Sequence, residues 1–556
     1  MERKWKPDKS RIIRLLVLLA VNGAFMAFCL LFCHTHYEIN DDFAMMGIVS
    51  GLYGKCDPHM VYSNILIGRV LVLLYTACHS VNWYVIFHMS TLFVSSMAFS
   101  YTLLDKKRGD KRAYVCVALF YVFLLYECYV NVTFTKTAGF ASICGLAVIL
   151  LNTSARKLSW FQIVLGGLLA FTGSMIRFYS FLIALFAAGV FFLLYILLTK
   201  PGLKRIAVIG SVVLAVLGIG YAARLYDAAA YKNDPEWNAF REYNEVRGVF
   251  TDRPWADYDQ NEEFYHSLGI SANDYYLFSH WTFDDPEFVT TELMKEVNSI
   301  KKNADAKTVL SSFCKQIVPG FLQYRFSIAV LVLAVLVGYW EKKALLALIP
   351  AGVVVGFFNL YFAIVQRFLM RRVDLVVAVS VFVMLSLFIF PKKEEKATIK
   401  KSFFVYLALG ALALNIGTMA QNVTSTARDM TPERKNYLAM YERFFADQDH
   451  LYLSQTYGDM TVSIYHFTDE YPMGFYENTY LLGGWMTRSP ISNMSLKKYG
   501  ISNPFRDMVD NPKVYVLANS AYRARIVTYL KEHYGDVKSE VVDTIEGLQL
   551  FRVVSK

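Results

Sequence analysis

The sequence predicts an α-helical polytopic membrane protein of about eleven transmembrane helices, followed by a C-terminal α/β domain. Three observations predict it. Apolar residues fill 55% of the 556 positions and charged residues only 18%, more apolar side chain than a soluble core uses. Apolar windows of the roughly 20 residues that cross a hydrocarbon core recur through residues 12–419. From residue 420 onward those windows give way to short runs of strand composition.

A segment in lipid must satisfy its own backbone N–H and C=O groups, so each window reads as a helix. The windows run near 12–33, 83–104, 113–130, 137–153, 159–176, 179–199, 206–223, 327–340, 344–363, 373–391 and 403–419. Basic residues near membrane ends stay on the cytoplasmic side, which orients the set. The N-terminal arm (Arg3 to Arg14), DKKRGDKR at 105–112, Arg156-Lys157, KPGLKR at 200–205, Lys342-Lys343 and PKKEEKATIKK at 391–401 fall on one side together when eleven spans are counted. Ser63–Ala77 is also apolar, but it is short and carries Arg69, and it reads as a helix lying in the outer interface. The first helix lacks a cleavage-site pattern after Cys33 and is expected to be retained. The N-terminus is thus cytoplasmic in a cell membrane, and the net charge of +10 reflects topology and anionic lipid rather than nucleic acid.

Eight scattered cysteines give no disulfide framework and no CxxC, and neither a P-loop nor a dinucleotide-type GxGxxG is present, which disfavours ATP-driven transport. Residues 1–419 read as the membrane module, with outer loops 34–82 and 224–326, and residues 420–556 as a separate extracytoplasmic domain. In that domain HLYLSQ, KVYVLAN and LQLFRVV have strand composition, Ala521–Tyr534 reads as a helix between two strands, and YLLGGWMTRSP reads as a glycine-dependent turn. The domain is expected to dock over the outer loops or to help hold an acceptor.

Candidate chemistry lies in the outer segments. In HTHYEINDDFAMMG, Asn40 could cap a short helix with Asp41 and Asp42 in its first turn, where carboxylates also stabilise a helix without further role. At headgroup level such a pair can take a proton from a hydroxyl or hold a divalent cation (Mg or Mn) against a phosphate. Lys136, Arg177, Arg367, Arg371 and Arg372 recur at the same outer level, with Arg69 on the interfacial helix. An arginine fork matches phosphate oxygens, while snorkelling or pairing with Asp374 explains the same residues structurally. Arg371 and Arg372 are adjacent and do not easily both point inward, so one is expected to be a structural anchor. In the middle loop Arg247, Asp252, Trp255 and Trp281, with Trp237, are of the types that bind sugars, and packing explains them equally. His266 and His280 lack a third ligand at metal spacing.

With the Asn40–Asp42 NDD motif, the interfacial helices (43–52 and 63–80), the outer basic residues and the C-terminal domain in view, the chain resembles the GT-C superfamily of membrane glycosyltransferases. The pattern is closest to the bacterial Gtr-type and uncharacterised Gram-positive members. The resemblance covers most of the chain as architecture, NDD being its only sharp motif. It implies a polyprenyl-phosphate (undecaprenyl-type) sugar donor and a cell-envelope glycan, teichoic acid, polysaccharide or lipid acceptor. It further implies Asp41 as general base or metal-orienting carboxylate, Asp42 in support, the outer arginines on the donor phosphate, and inversion by single displacement. No WWDYG-type motif is present, which disfavours protein N-glycosylation. The alternatives are a transporter or flippase of lipid-linked saccharides, a glycan polymerase or ligase, and a non-enzymatic scaffold.

Overall fold

The computed structural model describes residues 9–33, 35–153, 158–301, 305–340, 342–365, 370–390, 409–411, 413–417, 419–420, 432–455, 467 and 470–556. Among them, seven helices are long and apolar enough to cross a membrane: Lys9–Phe32, Trp83–Lys106, Lys111–Val130, Phe134–Leu151, Phe178–Thr199, Leu203–Lys232 and Lys343–Ile364. Trp160–Ile176, Arg325–Trp340 and Arg371–Ser386, of 16 or 17 residues, occupy three further expected spans. The eleventh, 403–419, lies partly outside the described residues, as does the basic run 391–401. Ile65–Ala77 is a helix of 13 residues, about 20 Å at 1.5 Å per residue and too short for a core of about 30 Å. Asn64 starts it by accepting the Leu66 N–H.

Phe134–Leu151 is the centre of the bundle, every residue of it buried. Small residues let its neighbours approach closely: a Cβ at Gly145 would meet the Gly166 carbonyl at 2.4 Å, the small-residue packing that joins helices in lipid. Among the described residues, the basic runs at 9–14, 105–112 and 204–205 gather at one end, where Arg14 reaches Asp105, Lys106 donates to Asn152, Arg112 to the Phe390 carbonyl and Arg205 to the Thr153 carbonyl, while Arg156-Lys157 lies outside the described residues. The first loop, the middle loop and the C-terminal domain lie at the other end.

A two-residue parallel ladder ties that end together. Strand β1 (His36–Tyr37) pairs with β2 (Asn131–Val132), so Glu38 and the Asn40–Ser50 helix lie beside the turn into Phe134–Leu151. Asn40 is the first residue of its helix and Ile39 the cap, one position earlier than expected. The C-terminal domain is a five-stranded sheet in the order β4-β3-β5-β7-β6: β3 (Leu451–Ser454), β4 (Thr479–Leu481), β5 (Val514–Asn519), β6 (Val537–Ile545) and β7 (Leu548–Ser555). β3 runs parallel to β4 and β5, and β7 antiparallel to β5 and β6. The helix Ser520–His533 joins β5 to β6.

This domain is stitched to the middle loop. Phe283 and Asp284 N–H both reach the Leu482 carbonyl at 3.1 Å. Asp284 takes Arg488 at 3.0 Å, and Asp285 takes Asn503, Tyr529 and Tyr534. Both carboxylates are buried, so each needs these donors to offset lost hydration.

Candidate functional site

The first loop crosses the helix ends where Asp41 and Asp42 begin their helix. Successive residues of a helix point about 100° apart, and the two carboxylates part accordingly. Asp42 is fully buried; its Oδ1 accepts the Tyr84 hydroxyl and the Phe134 N–H, each at 2.8 Å. Its Oδ2 is buried without a partner. Burial pushes the Asp42 carboxyl up to about 7 against those hydrogen bonds. Asp41 instead faces Arg372, whose Nη2 lies 3.7 Å from its Oδ2. Burial raises its pKa, opposed by Arg372, Arg177 and Arg247, while Asp252 adds to the rise.

Three guanidinium groups therefore converge on Asp41. Arg177 sits at the break between two spans, donating to Thr135 Oγ1 at 3.0 Å and lying 4.7 Å over the Phe134 ring. Burial and Arg372 depress its pKa, as expected of cations crowded without enough counter-charge. Arg247, on the Pro235–Asp252 helix, is buried, donates to Asn244 and Thr251 at 2.9 Å, lies 3.7 Å from Asp252 and sits 5.7 Å over Trp281. Arg372 Nε is buried and makes no hydrogen bond. Three cations face two carboxylates, Asp41 and Asp252, leaving a positive surplus suited to an anion.

Two backbone outliers frame the site. Val61 and Trp281 adopt φ of 67° and 65°, a region costly for branched or bulky residues and held only by surrounding contacts. The Tyr231 hydroxyl receives the Val61 N–H at 2.8 Å, and Trp281 is backed by Gly483, where a Cβ would stand 1.6 Å from the Trp281 carbonyl oxygen. Val61 delivers Tyr62 into the site, stacked on Phe134 at 6.0 Å. Burial raises the Tyr62 pKa, and Asp41, Arg247, Asp252 and Arg177 act on it electrostatically. Tyr62 and Phe134 were not legible as site residues, because nothing in their local sequence marks them.

The remaining predicted residues lie apart. Lys136 is buried between Glu38 and Glu127, each at 2.7 Å. Arg371 reaches Glu127 at 2.8 Å, so the adjacent arginines serve different clusters. Arg69 is exposed and donates to the Tyr226 hydroxyl at 2.5 Å. Trp255 packs inside the middle loop, its N–H on the Phe250 carbonyl at 2.8 Å and its ring stacked on Tyr265. Trp237 stacks on His59. Arg367 lies outside the described residues.

Asp41 and Asp42 face different partners, Arg372 and the Tyr84–Phe134 pair. Among the described residues, the group whose ligand atoms come within 4.8 Å of one another is Asp274, Glu532 and His533, between the middle loop and the C-terminal domain. There Asp274 also closes a capping box with Ser271 and pairs with His533 at 3.1 Å.

The fold and site define a polytopic membrane protein whose ionic cluster lies at one end of the helix bundle, under the loops and the C-terminal domain. No family profile matches the sequence, and no curated protein does. Among solved structures the chain is similar to ArnT from Cupriavidus metallidurans in the apo state, at 11% identity and TM-score 0.44, over 98% of this chain and 98% of that one. It is likewise similar to ArnT from Cupriavidus metallidurans bound to undecaprenyl phosphate, at 11% identity and TM-score 0.41, over 97% of each chain.

Proposed function

We propose that the chain is an inverting glycosyltransferase of GT-C type. It moves a sugar from a polyprenyl-phosphate carrier to a cell-envelope glycan, teichoic acid or lipid acceptor on the outer face of the membrane. The observation that carries this reading is Asp41 set among Arg372, Arg177 and Arg247 at the end of the bundle. The gathering of the basic loops at the opposite end supports a cytoplasmic N-terminus and an extracytoplasmic C-terminal domain.

Asp41 takes the proton of an acceptor hydroxyl as its oxygen forms the bond to the anomeric carbon. The bond from that carbon to the phosphate oxygen breaks, and its electron pair leaves on the polyprenyl phosphate. Arg372 and Arg177, with Arg247 behind, hold that phosphate and stabilise the growing negative charge. Attack opposite the departing phosphate inverts the anomeric centre. Asp42, held by Tyr84 and Phe134, anchors the helix that aims Asp41. The arginine surplus supplies the charge stabilisation that a metal could otherwise provide, so no step is assigned to a cation. Against a proton-coupled transporter stands the pairing of Glu127, an ionisable acid of the spans, with Lys136 and Arg371.

The test is turnover of a panel of polyprenyl-phosphate sugars by the purified protein in nanodiscs. Asp41→Asn is expected to lower kcat by about 10²–10⁴, the usual contribution of a positioned base, with donor affinity retained. Unchanged turnover in the variant would remove Asp41 as the base. A wild type that turned over nothing but moved lipid-linked saccharide across a bilayer would replace the transferase with a transporter.

A further inference from the structure

The tryptophans that the sequence offered for sugar binding have other partners: Trp237 packs on His59, Trp255 lies in the middle loop, and Trp281 lies beneath Arg247. A different tryptophan reaches the site, from the C-terminal domain. The turn after β4 carries Trp485, whose ring lies edge-on to Tyr62 at 4.9 Å and 61°. Tyr62 stacks on Phe134, and Phe134 carries Arg177. The row Arg177, Phe134, Tyr62, Trp485 therefore runs from a guanidinium beside Asp41 out to the domain.

This placement is over-determined. Leu482 accepts two N–H groups of the middle loop, Gly483 abuts the Trp281 carbonyl, and Arg488 is clamped on Asp284 and the Val289 carbonyl. The turn is locked, while one polar handle on it and one on the first loop beside it stay unused: among the described residues, neither the Trp485 indole N–H nor the Tyr62 hydroxyl has a protein hydrogen-bond partner.

We infer that Tyr62 and Trp485 form the wall against which the pyranose of the lipid-linked donor packs, with the phenol and indole N–H left for its hydroxyls, so that the C-terminal domain supplies a specificity-determining residue. This rests on the glycosyltransferase reading. A pyranose presents apolar C–H faces and equatorial hydroxyls together, and an aromatic surface edged by unused donors matches both. Phosphate held by Arg177 and Arg372 at one end of the row leaves the attached ring lying along it.

The experiment uses the full chain in nanodiscs, titrated calorimetrically with bare polyprenyl phosphate and with its glucosyl, galactosyl and N-acetylhexosaminyl esters. Wild type is expected to bind at least one ester more tightly than the bare phosphate. Trp485→Ala is expected to weaken that ester about tenfold, the scale of one well-packed aromatic contact, while bare phosphate changes less than about twofold. Trp485→Phe, which keeps a ring without the N–H, should recover part of the loss and, by thermal melting, guard against misfolding. Equal weakening of ester and bare phosphate, or no change in either, overturns the inference while wild-type turnover leaves the transferase standing. Failure of wild type to bind or turn over any of these ligands overturns both.

Discussion

Two charge clusters sit side by side at the same end of the bundle and are built from the same residue types, yet they are opposites. In one, Lys136 is fully enclosed by Glu38 and Glu127, and Arg371 completes Glu127. In the other, Asp41 and Asp252 are outnumbered by Arg177, Arg247 and Arg372, the contacts lengthen to 3.7 Å, and Arg372 Nε is left without a partner. Adjacent residues of one helix, Arg371 and Arg372, feed the two clusters. Paired charge makes a joint, because each ion has its counter-ion within contact. Unmatched charge makes a binding site, since the missing counter-ion is what a phosphate brings.

The comparison breaks first at Lys136. Lys136→Met leaves the half-buried Glu38 without a cation and the buried Glu127 with Arg371 as its remaining one, and removal of one partner from a buried pair costs about 3–5 kcal/mol. Thermal unfolding of the purified protein should show the loss, and adding Glu127→Gln should restore part of it. A melting temperature equal to wild type would mean the cluster is not the joint described here.

The arginine pair sharpens it next. Arg372→Ala is expected to lower kcat/KM by about 10²–10³, the scale of losing one preorganised charge donor. Arg372→Lys should not rescue it, because an ammonium lacks the planar fork. Arg371→Ala should lose less activity than Arg372→Ala in the same assay. Equal kinetic losses in the two variants would erase the distinction between joint and site.

Asp42 gives an effect that shows only as the pH is changed. Its folded carboxyl titrates at about 7 against an ordinary 3.8, so the folded state holds a proton that the unfolded state has already released between those values. Its contribution to stability is present in full below about 3.8 and is lost as the pH rises through about 7. The melting temperature of wild type should fall over that window relative to Asp42→Asn, and parallel curves would show that Asp42 titrates as it does in the unfolded chain.

Much of the architecture was legible. The ten expected spans up to residue 391 have helices close to their windows, because lipid forces each segment to close its own hydrogen bonds and to be apolar throughout. That Ile65–Ala77 is a helix too short to span followed from the length of its apolar run, and the strands around residues 451, 514 and 548 from their β-rich composition. Asp41, Arg177 and Arg372 could be singled out because charged residues at membrane ends are expensive enough to stand out, and Arg247 and Asp252 only as residue types of the middle loop that could meet a sugar.

What the chain alone determined, then, were the helices and the charged residue types available at their ends. Only the tertiary structure decided which arginine meets Asp41 and which meets Glu127, that Lys136 is enclosed, and that Tyr62 meets Trp485 edge-on. Helix formation is settled by hydrogen bonds within a few residues, whereas matched and unmatched charge depends on neighbours brought from distant segments by the β1–β2 ladder, the strained Val61 and the Asp284–Asp285 clamp.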